Sequence, residues 1–360
     1  MKVMIKPQML NPGDTVAVVS LSSGMAGDSL FYHRAESGMK RLSEEFRLNV
    51  KIMPHALTGS DYSTHNPGSR AKDLMDAFRD PQVKAVISMI GGDDTIRLLP
   101  YIDFQVLHDN PKIFMGYSDT TINHFMMYKA GLVSFYGPCI MCEFAENGSM
   151  HDYTRQYIRQ VLFEHHDYLP VPAASRWTSE FLDWADPQNN QIPRTMQSDA
   201  RGYELLQGEG IVSGTLLGGC ADVFPMMAGT LIWPDPEQWN DCILFLETSE
   251  EHPSPRSLMY LLRGLAAQGI LNRINGIIFG KPKDELYYEE YKQVLTQVVA
   301  TEAGQPQIPI LYNLNFGHTA PICILPYGVR AEINCTERSF ALTEAAVCEN
   351  TSSSTKDLLR

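Results

Sequence analysis

Lys112-Ile-Phe-Met-Gly-Tyr-Ser-Asp-Thr-Thr121 is the segment whose residue types and spacing best suit chemistry. A short apolar run, a sharp turn carrying Ser118 and an immediate helix would lift the hydroxyl to the carboxyl edge of a sheet. Open α/β sheets bind their ligands there. The first amides of the helix bring partial positive charge to the place where an oxyanion would develop. The turn has the form of a nucleophile elbow, with Thr120 in place of the second glycine of Gly-x-Ser-x-Gly. A plainer role is equally open: Ser is a preferred helix N-cap.

A nucleophilic serine needs a base, and the base needs an orienter. His318 lies in Asn315-Phe-Gly-His-Thr-Ala-Pro321, just past the apolar run from Ile308 to Leu314, and Gly317 permits a tight backbone there. His124 falls on the helix after Ser118 with no sequence sign of which way it faces. Glu247 closes the apolar run Ile243-Leu-Phe-Leu246 and opens Glu247-Thr-Ser-Glu-Glu251. An acid in that position is either exposed at the sheet edge or held by a partner. Glu250 is a candidate contact for polar groups of a substrate, or simply part of a solvated acidic turn. Gly91-Gly-Asp-Asp-Thr95 forms a second glycine turn, whose amides could complete an oxyanion hole with the amide of Asp119. The same five residues resemble the Gly-Gly-Asp-Gly-Thr phosphate loop of NAD and diacylglycerol kinases. Asp94 stands where that loop has glycine, so a carboxylate would face phosphate oxygens.

The elements that must position these residues alternate. Strand patterns at Thr15–Ser20, Val50–Met53, Val83–Ile90, Lys112–Met115 and Val133–Tyr136 are separated by helical patterns at Leu30–Phe46, Ser69–Phe78 and Thr120–Lys129, with another at Asp152–Phe163. Continuous apolar strands between helices imply a parallel sheet covered on both faces. From about Asp167 to Gly214 the pattern breaks, with four prolines and two tryptophans, Trp177 and Trp184, which reads as a domain linker or a functional loop. A second alternation follows. It comprises a helical stretch at Ala221–Gly229, a strand at Asp241–Glu247, a helix from Ser254-Pro255 to about Leu271, a strand at Gly276–Phe279 and a helix at Tyr287–Ala300. A final hairpin spans Val329–Asn334 and Ser339–Thr343.

The chain has 360 residues, 44% of them apolar and 20% charged, so it belongs to the ordinary globular class with room for one or two large cores. No apolar run approaches the roughly 18 residues that cross a bilayer. Asn11-Pro-Gly13 interrupts the start before any signal-like core forms, so neither a membrane span nor a secretion signal is expected. A net charge of −13, with no basic block to offset it, argues against nucleic-acid binding. The seven cysteines are an odd, mostly solitary set, which suggests reduced thiols and a cytoplasmic setting. Cys139-x-x-Cys142 has no second pair to complete a zinc site and reads as core. No cofactor or metal is expected.

Gly116-Tyr-Ser-Asp-Thr-Thr121, Gly214-Thr-Leu-Leu-Gly-Gly219, Leu246-Glu-Thr248 and Asn315-Phe-Gly-His318, in this order, resemble the LD-carboxypeptidase and microcin C immunity family of serine peptidases. The resemblance runs from Asn11-Pro-Gly-Asp14 to the final hairpin. It implies a triad of Ser118, Glu247 and His318, with oxyanion-hole amides at Gly92 and Asp119. It also implies an N-terminal flavodoxin-like parallel-sheet domain over 1–166 and a linker and substrate loop over 167–213. A C-terminal swivelling β/α domain would cover 214–349 and a flexible tail 350–360. The active site would lie at the interface, in a homodimer.

One branch of that family trims terminal D-alanine from murein tetrapeptides. The other cleaves the amide joining an aspartyl group to an aminoacyl-adenylate mimic. Ser175-Arg-Trp-Thr-Ser-Glu-Phe-Leu-Asp-Trp184 resembles the extended loop of the second branch, in which an aromatic residue stacks on the nucleobase, and Trp184 is the candidate. Both tryptophans packing the linker against the body is the competing reading. Two departures stand out: Gly218-Gly-Cys220 where relatives commonly have Gly-Gly-Asn, and Asp93-Asp94 after the double glycine. The expected activity is therefore a serine carboxypeptidase acting on a small peptide or peptidyl-nucleotide. The immunity-like substrate is favoured, murein is the alternative, and a kinase is a more distant one.

Overall fold

The computed structural model of the chain describes residues 4–349; the expected tail at 350–360 lies outside the described residues. The first half folds as its alternation predicts. Across the first sheet the strands run Leu325–Pro326, Phe135–Tyr136, Ile113–Gly116, Val83–Ser88, Thr15–Val19 and Asn49–Ile52. The last five are mutually parallel and, numbered along the chain, lie in the order 2-1-3-4-5. That is the flavodoxin-like arrangement, with helices on both faces. Helix Tyr32–Phe46 shows why: Ala35, Met39, Leu42 and Phe46 recur at helical spacing and are all buried.

The second sheet holds eight strands around a parallel centre of Ile211–Cys220, Cys242–Glu247, Gly276–Gly280 and Ile310–Leu314. Arg330–Asn334 and Ser339–Leu342 form the expected antiparallel hairpin, and Arg330–Asn334 pairs onto Ile211–Cys220. The helix predicted at Ala221–Gly229 is shorter than its pattern suggests. A 3-10 turn at Ala221–Val223 leads into one α turn at Phe224–Met227, and Gly229 at φ +82° ends it.

The irregular stretch between the two alternations is not a free linker. Leu169–Pro170 pairs with Ser339–Leu342 on one edge of the second sheet, and Glu204–Gln207 pairs with Ile310–Leu314 on the other. These strands are short and lightly buried, so they left no apolar period to detect. Between them, Thr178 bridges Ala320, two residues past His318. The halves are also stitched the other way: Leu325–Pro326, from the second half, adds an antiparallel edge strand beside Phe135–Tyr136 of the first sheet.

Candidate active site

Ser118 sits between strand Ile113–Gly116 and helix Thr121–Ala130, on one 3-10 turn, at φ +61°. An L-residue held in that region costs on the order of 1–2 kcal/mol, so the surroundings must impose it. They do. The Ser118 amide donates to Tyr136 Oη at 3.2 Å, and the buried Asp119 carboxylate accepts from Ser22 Oγ at 2.6 Å and from the Thr95 amide at 2.9 Å. The helix N-cap is Thr120, with no side-chain capping bond, so the capping role open to Ser118 in sequence is not the one it plays.

The double-glycine turn packs directly against this elbow. A methyl group on Gly91 would stand 2.9 Å from Ser118 Cβ and 3.4 Å from the Asp119 nitrogen. Gly92, at φ +146°, shares a cavity wall with Ser118. The phosphate-loop reading of this turn is overturned by Asp94. Its carboxylate is taken up by buried Arg70 at 2.6 and 3.0 Å and by Arg97 at 2.9 Å, so it braces the turn and faces no phosphate. His124 is likewise structural. It is fully buried, its ring nitrogens lie 2.9 Å from Gly116 O and from Ser134 Oγ, and burial pushes its pKa down to about 3.

The other side of the site is assembled from distant segments. Glu247 ends its strand fully buried, and its Oε2 lies 2.7 Å from His318 Nδ1. Its Oε1 accepts from Tyr136 Oη at 2.5 Å. One phenol therefore bonds both the backbone of Ser118 and the carboxylate that pairs with His318. Gly317, at φ +95°, permits the approach, since a methyl group there would collide with the Glu247 carboxylate at 2.5 Å. The remaining imidazole nitrogen, Nε2, lies 3.0 Å from Glu250 Oε2, a contact with no signature in the sequence. Burial disfavours the His318 cation, but the charge and hydrogen bond of Glu247, reinforced by Glu250, hold its pKa well above the ordinary value. The hydrogen bond to His318 in turn draws Glu250 down to about 2.

Two cavities meet at Ser118. The larger, about 950 Å³, runs beneath the second half past Cys220, Met226, Trp233, Leu258 and Leu261. The smaller, about 590 Å³, is walled by Arg34, Phe181, Trp184, Arg194, Lys283 and His318. Gly92, Ser118 and Glu250 line both. The two linker tryptophans part company here. Trp177 is buried under the Lys281 ammonium, 4.5 Å from its ring centre, and is structural. Trp184 is half-buried on the cavity wall, with the Arg34 guanidinium 4.1 Å over its ring and Phe181 5.7 Å away. Cys220 and Glu247 are register partners at the carboxyl ends of adjacent parallel strands. Burial raises the Cys220 thiol well above its ordinary pKa, so it is neutral and no rival nucleophile. Cys139 is core as expected, whereas Cys142 reaches the smaller cavity.

Family models for the LD-carboxypeptidase N-terminal and C-terminal domains match residues 16–137 and 213–333. A putative carboxypeptidase of Vibrio cholerae is 30% identical over 95% of this chain and 98% of its own length. The chain belongs to the LD-carboxypeptidase family of serine-type peptidases. Within the family, it is 29% identical to the microcin C7 self-immunity protein MccF of Escherichia coli, over 83% of this chain and 85% of that one. A structure of MccF in complex with aspartyl sulfamoyl adenosine aligns with a TM-score of 0.83 and 25% identity, covering 96% of this chain and all of the other. An MccF-like protein of Streptococcus pneumoniae in complex with AMP aligns with a TM-score of 0.83 and 34% identity, covering 92% and 98%. Among the described residues, no helix is long and apolar enough to cross a membrane.

Proposed function

We propose that this chain hydrolyses a carboxyl-terminal amide through Ser118, His318 and Glu247, and that its substrate is an aminoacyl- or peptidyl-adenylate mimic whose acyl group is joined through an amide nitrogen. The observation that carries the reading is the 2.7 Å pairing of buried Glu247 with His318, which lines the same cavity as the strained Ser118. In this reading His318 Nε2 takes the Ser118 proton as Oγ bonds to the acyl carbon. The amides of Gly92 and Asp119 receive the oxyanion. The carbon–nitrogen bond then breaks, His318 returns the proton to the leaving nitrogen, and water repeats the sequence to release the acid.

Glu250 Oε2 lies 3.0 Å from Nε2, the nitrogen that must take the Ser118 proton. An ammonium group on the acyl side of the substrate would draw Glu250 away and free the imidazole. Support for a nucleotide comes from the aromatic wall of Phe181 and Trp184 beside three cationic side chains, together with the AMP and aspartyl sulfamoyl adenosine ligands of the two structural relatives. Unpaired cysteines throughout suit a reducing, cytoplasmic setting, and the reading includes a homodimer, which sedimentation would check.

The deciding experiment offers the enzyme an aspartyl adenylate analogue with a cleavable amide and, separately, a murein tetrapeptide ending in D-alanine. Mass spectrometry of the products should show faster cleavage of the adenylate. Turnover of the tetrapeptide alone would move the chain to the murein branch, and turnover of neither would overturn the reading.

A further inference from the structure

The Cys220 sulfur, a carboxylate oxygen of Glu247 and a ring nitrogen of His318 lie within 4.8 Å of one another. The fold makes this meeting obligatory. Cys220 and Glu247 end neighbouring parallel strands in register, and Gly317 lets the His318 loop close over them. Thiolate, imidazole and carboxylate together are a ligand set suited to Zn²⁺, which binds sulfur at about 2.3 Å and nitrogen or oxygen at about 2.0–2.2 Å. A contraction of the three side chains by an ångström or so would bring them to such distances.

The surroundings match what a zinc site needs outside its ligands. A metal-bound histidine usually gives its other ring N–H to a carboxylate, and a ligating carboxylate is usually held by a further donor. Nδ1 faces Glu247, while Nε2 already lies 3.0 Å from Glu250 Oε2. The second oxygen of Glu247 is held by Tyr136 Oη. Beyond these stands a surplus of acid. Asp222 Oδ1 is buried beside the cluster without a hydrogen-bond partner, a costly state for a carboxylate oxygen. The site thus offers one imidazole to three acids and a thiol, an imbalance that a divalent cation would correct. The larger cavity, which Cys220, Asp222 and Glu250 all line, supplies an entry path and room for a water as fourth ligand.

We propose that Cys220, Glu247 and His318 form an inhibitory zinc site, in which the metal takes His318 Nδ1 and the Glu247 carboxylate out of the peptidase machinery. The thiol proton and any proton on Nδ1 pass to solvent, and no group is oxidised or reduced. The inhibition rests on the hydrolytic reading above; the binding does not.

The test therefore begins with the chelator-treated full chain and Co²⁺ alone. One equivalent should produce a near-ultraviolet thiolate-to-cobalt charge-transfer band, and Zn²⁺ should bleach it. Cys220→Ser should lose the band and Cys142→Ser should keep it; Cys220→Asn serves if the serine variant does not fold. Glu250→Gln should weaken binding by about tenfold or more, as a lost carboxylate partner of a metal-bound histidine does. In the hydrolysis assay, Zn²⁺ should abolish turnover reversibly, and Cys220→Ser should need at least about tenfold more metal, relative to its own uninhibited rate. Absence of the band in the parent protein, or its survival in both Cys220 variants, would overturn the site even if hydrolysis proceeds. If the band appears as expected and neither substrate is cleaved, the zinc site stands and the hydrolytic reading falls.

Discussion

The hydroxyl side and the imidazole side of this site are built by opposite means. Ser118 is carried by a contiguous segment, a strand, one 3-10 turn at a positive φ, and a helix, all within residues 113–130, with Ser22, Thr95 and Tyr136 bracing the turn. His318 and Glu247 are 71 residues apart, and the phenol that supports them, Tyr136, is 111 residues from Glu247. The first side stores backbone strain, and the second stores buried charge. A strained turn keeps its shape when a side chain is trimmed, whereas a buried charge left without its partner disturbs everything around it. Substitutions should therefore remove activity cleanly on the hydroxyl side and remove activity and stability together on the imidazole side.

Ser118→Ala is the strongest test of that contrast. It deletes the proposed nucleophile but no group that holds the turn, so kcat should fall by ~10⁴ to 10⁶ while the melting temperature stays near that of the parent. Activity within tenfold of the parent would remove Ser118 from the mechanism. Glu247→Gln should cost less activity and more stability. The amide cannot hold the imidazole in the tautomer that leaves Nε2 free, and kcat should drop by ~10⁴. It also leaves a buried imidazolium with one acid fewer, so thermal unfolding should come earlier. An unchanged melting temperature would mean that the two sides do not differ as their construction implies.

Tyr136→Phe probes the one group shared by both sides. It removes a hydrogen bond to a carboxylate, which contributes about 1.5–3 kcal/mol, and it also releases the Ser118 amide. The phenol bonds the Ser118 amide and the Glu247 carboxylate and lines neither cavity. A fall of about ten- to a hundredfold in kcat with little change in KM is expected from steady-state kinetics. A rise in KM alone would place Tyr136 in substrate binding.

This division also explains what could be read from the chain. Ser118 was legible because its evidence is contiguous: an apolar run, Gly-x-Ser, then a helix. Most of the parallel strands were legible because both of their faces are buried; the edge strand Asn49–Ile52 is the exposed exception. Glu247 and His318 were visible as strand-end residues, but their pairing depends on the register of strands far apart in sequence, and the motif order of a family had to supply it. Tyr136 left no such trace, because a tyrosine ending a two-residue strand looks like any core aromatic residue. The linker's edge strands were hidden by their brevity and partial burial. Asp94 was visible as a departure from a phosphate loop, but its reason, the buried Arg70, lies on a helix more than twenty residues earlier. Cys220 drew notice as a substituted residue, yet its closeness to Glu247 follows only from strand register.

Glu250 carries the smallest expected effect and the most specific one. A base must be neutral to accept a proton, and Glu247 and Glu250 both favour the imidazolium of His318. A raised pKa means that the active form is lost as pH falls, beginning at a higher pH than for an ordinary histidine. Glu250→Gln removes one of the two charges while leaving the 2.7 Å bond to Glu247 in place. The acid limb of the kcat/KM profile, which reports the free enzyme, should then move to lower pH, whatever the lost contact to a substrate ammonium does to the plateau rate. The measurement belongs in chelator-treated buffer, so that no metal occupies the imidazole. If the limb stays where it is, Glu250 does not bear on Nε2 in the free enzyme, and the charge that sets the base is that of Glu247 alone.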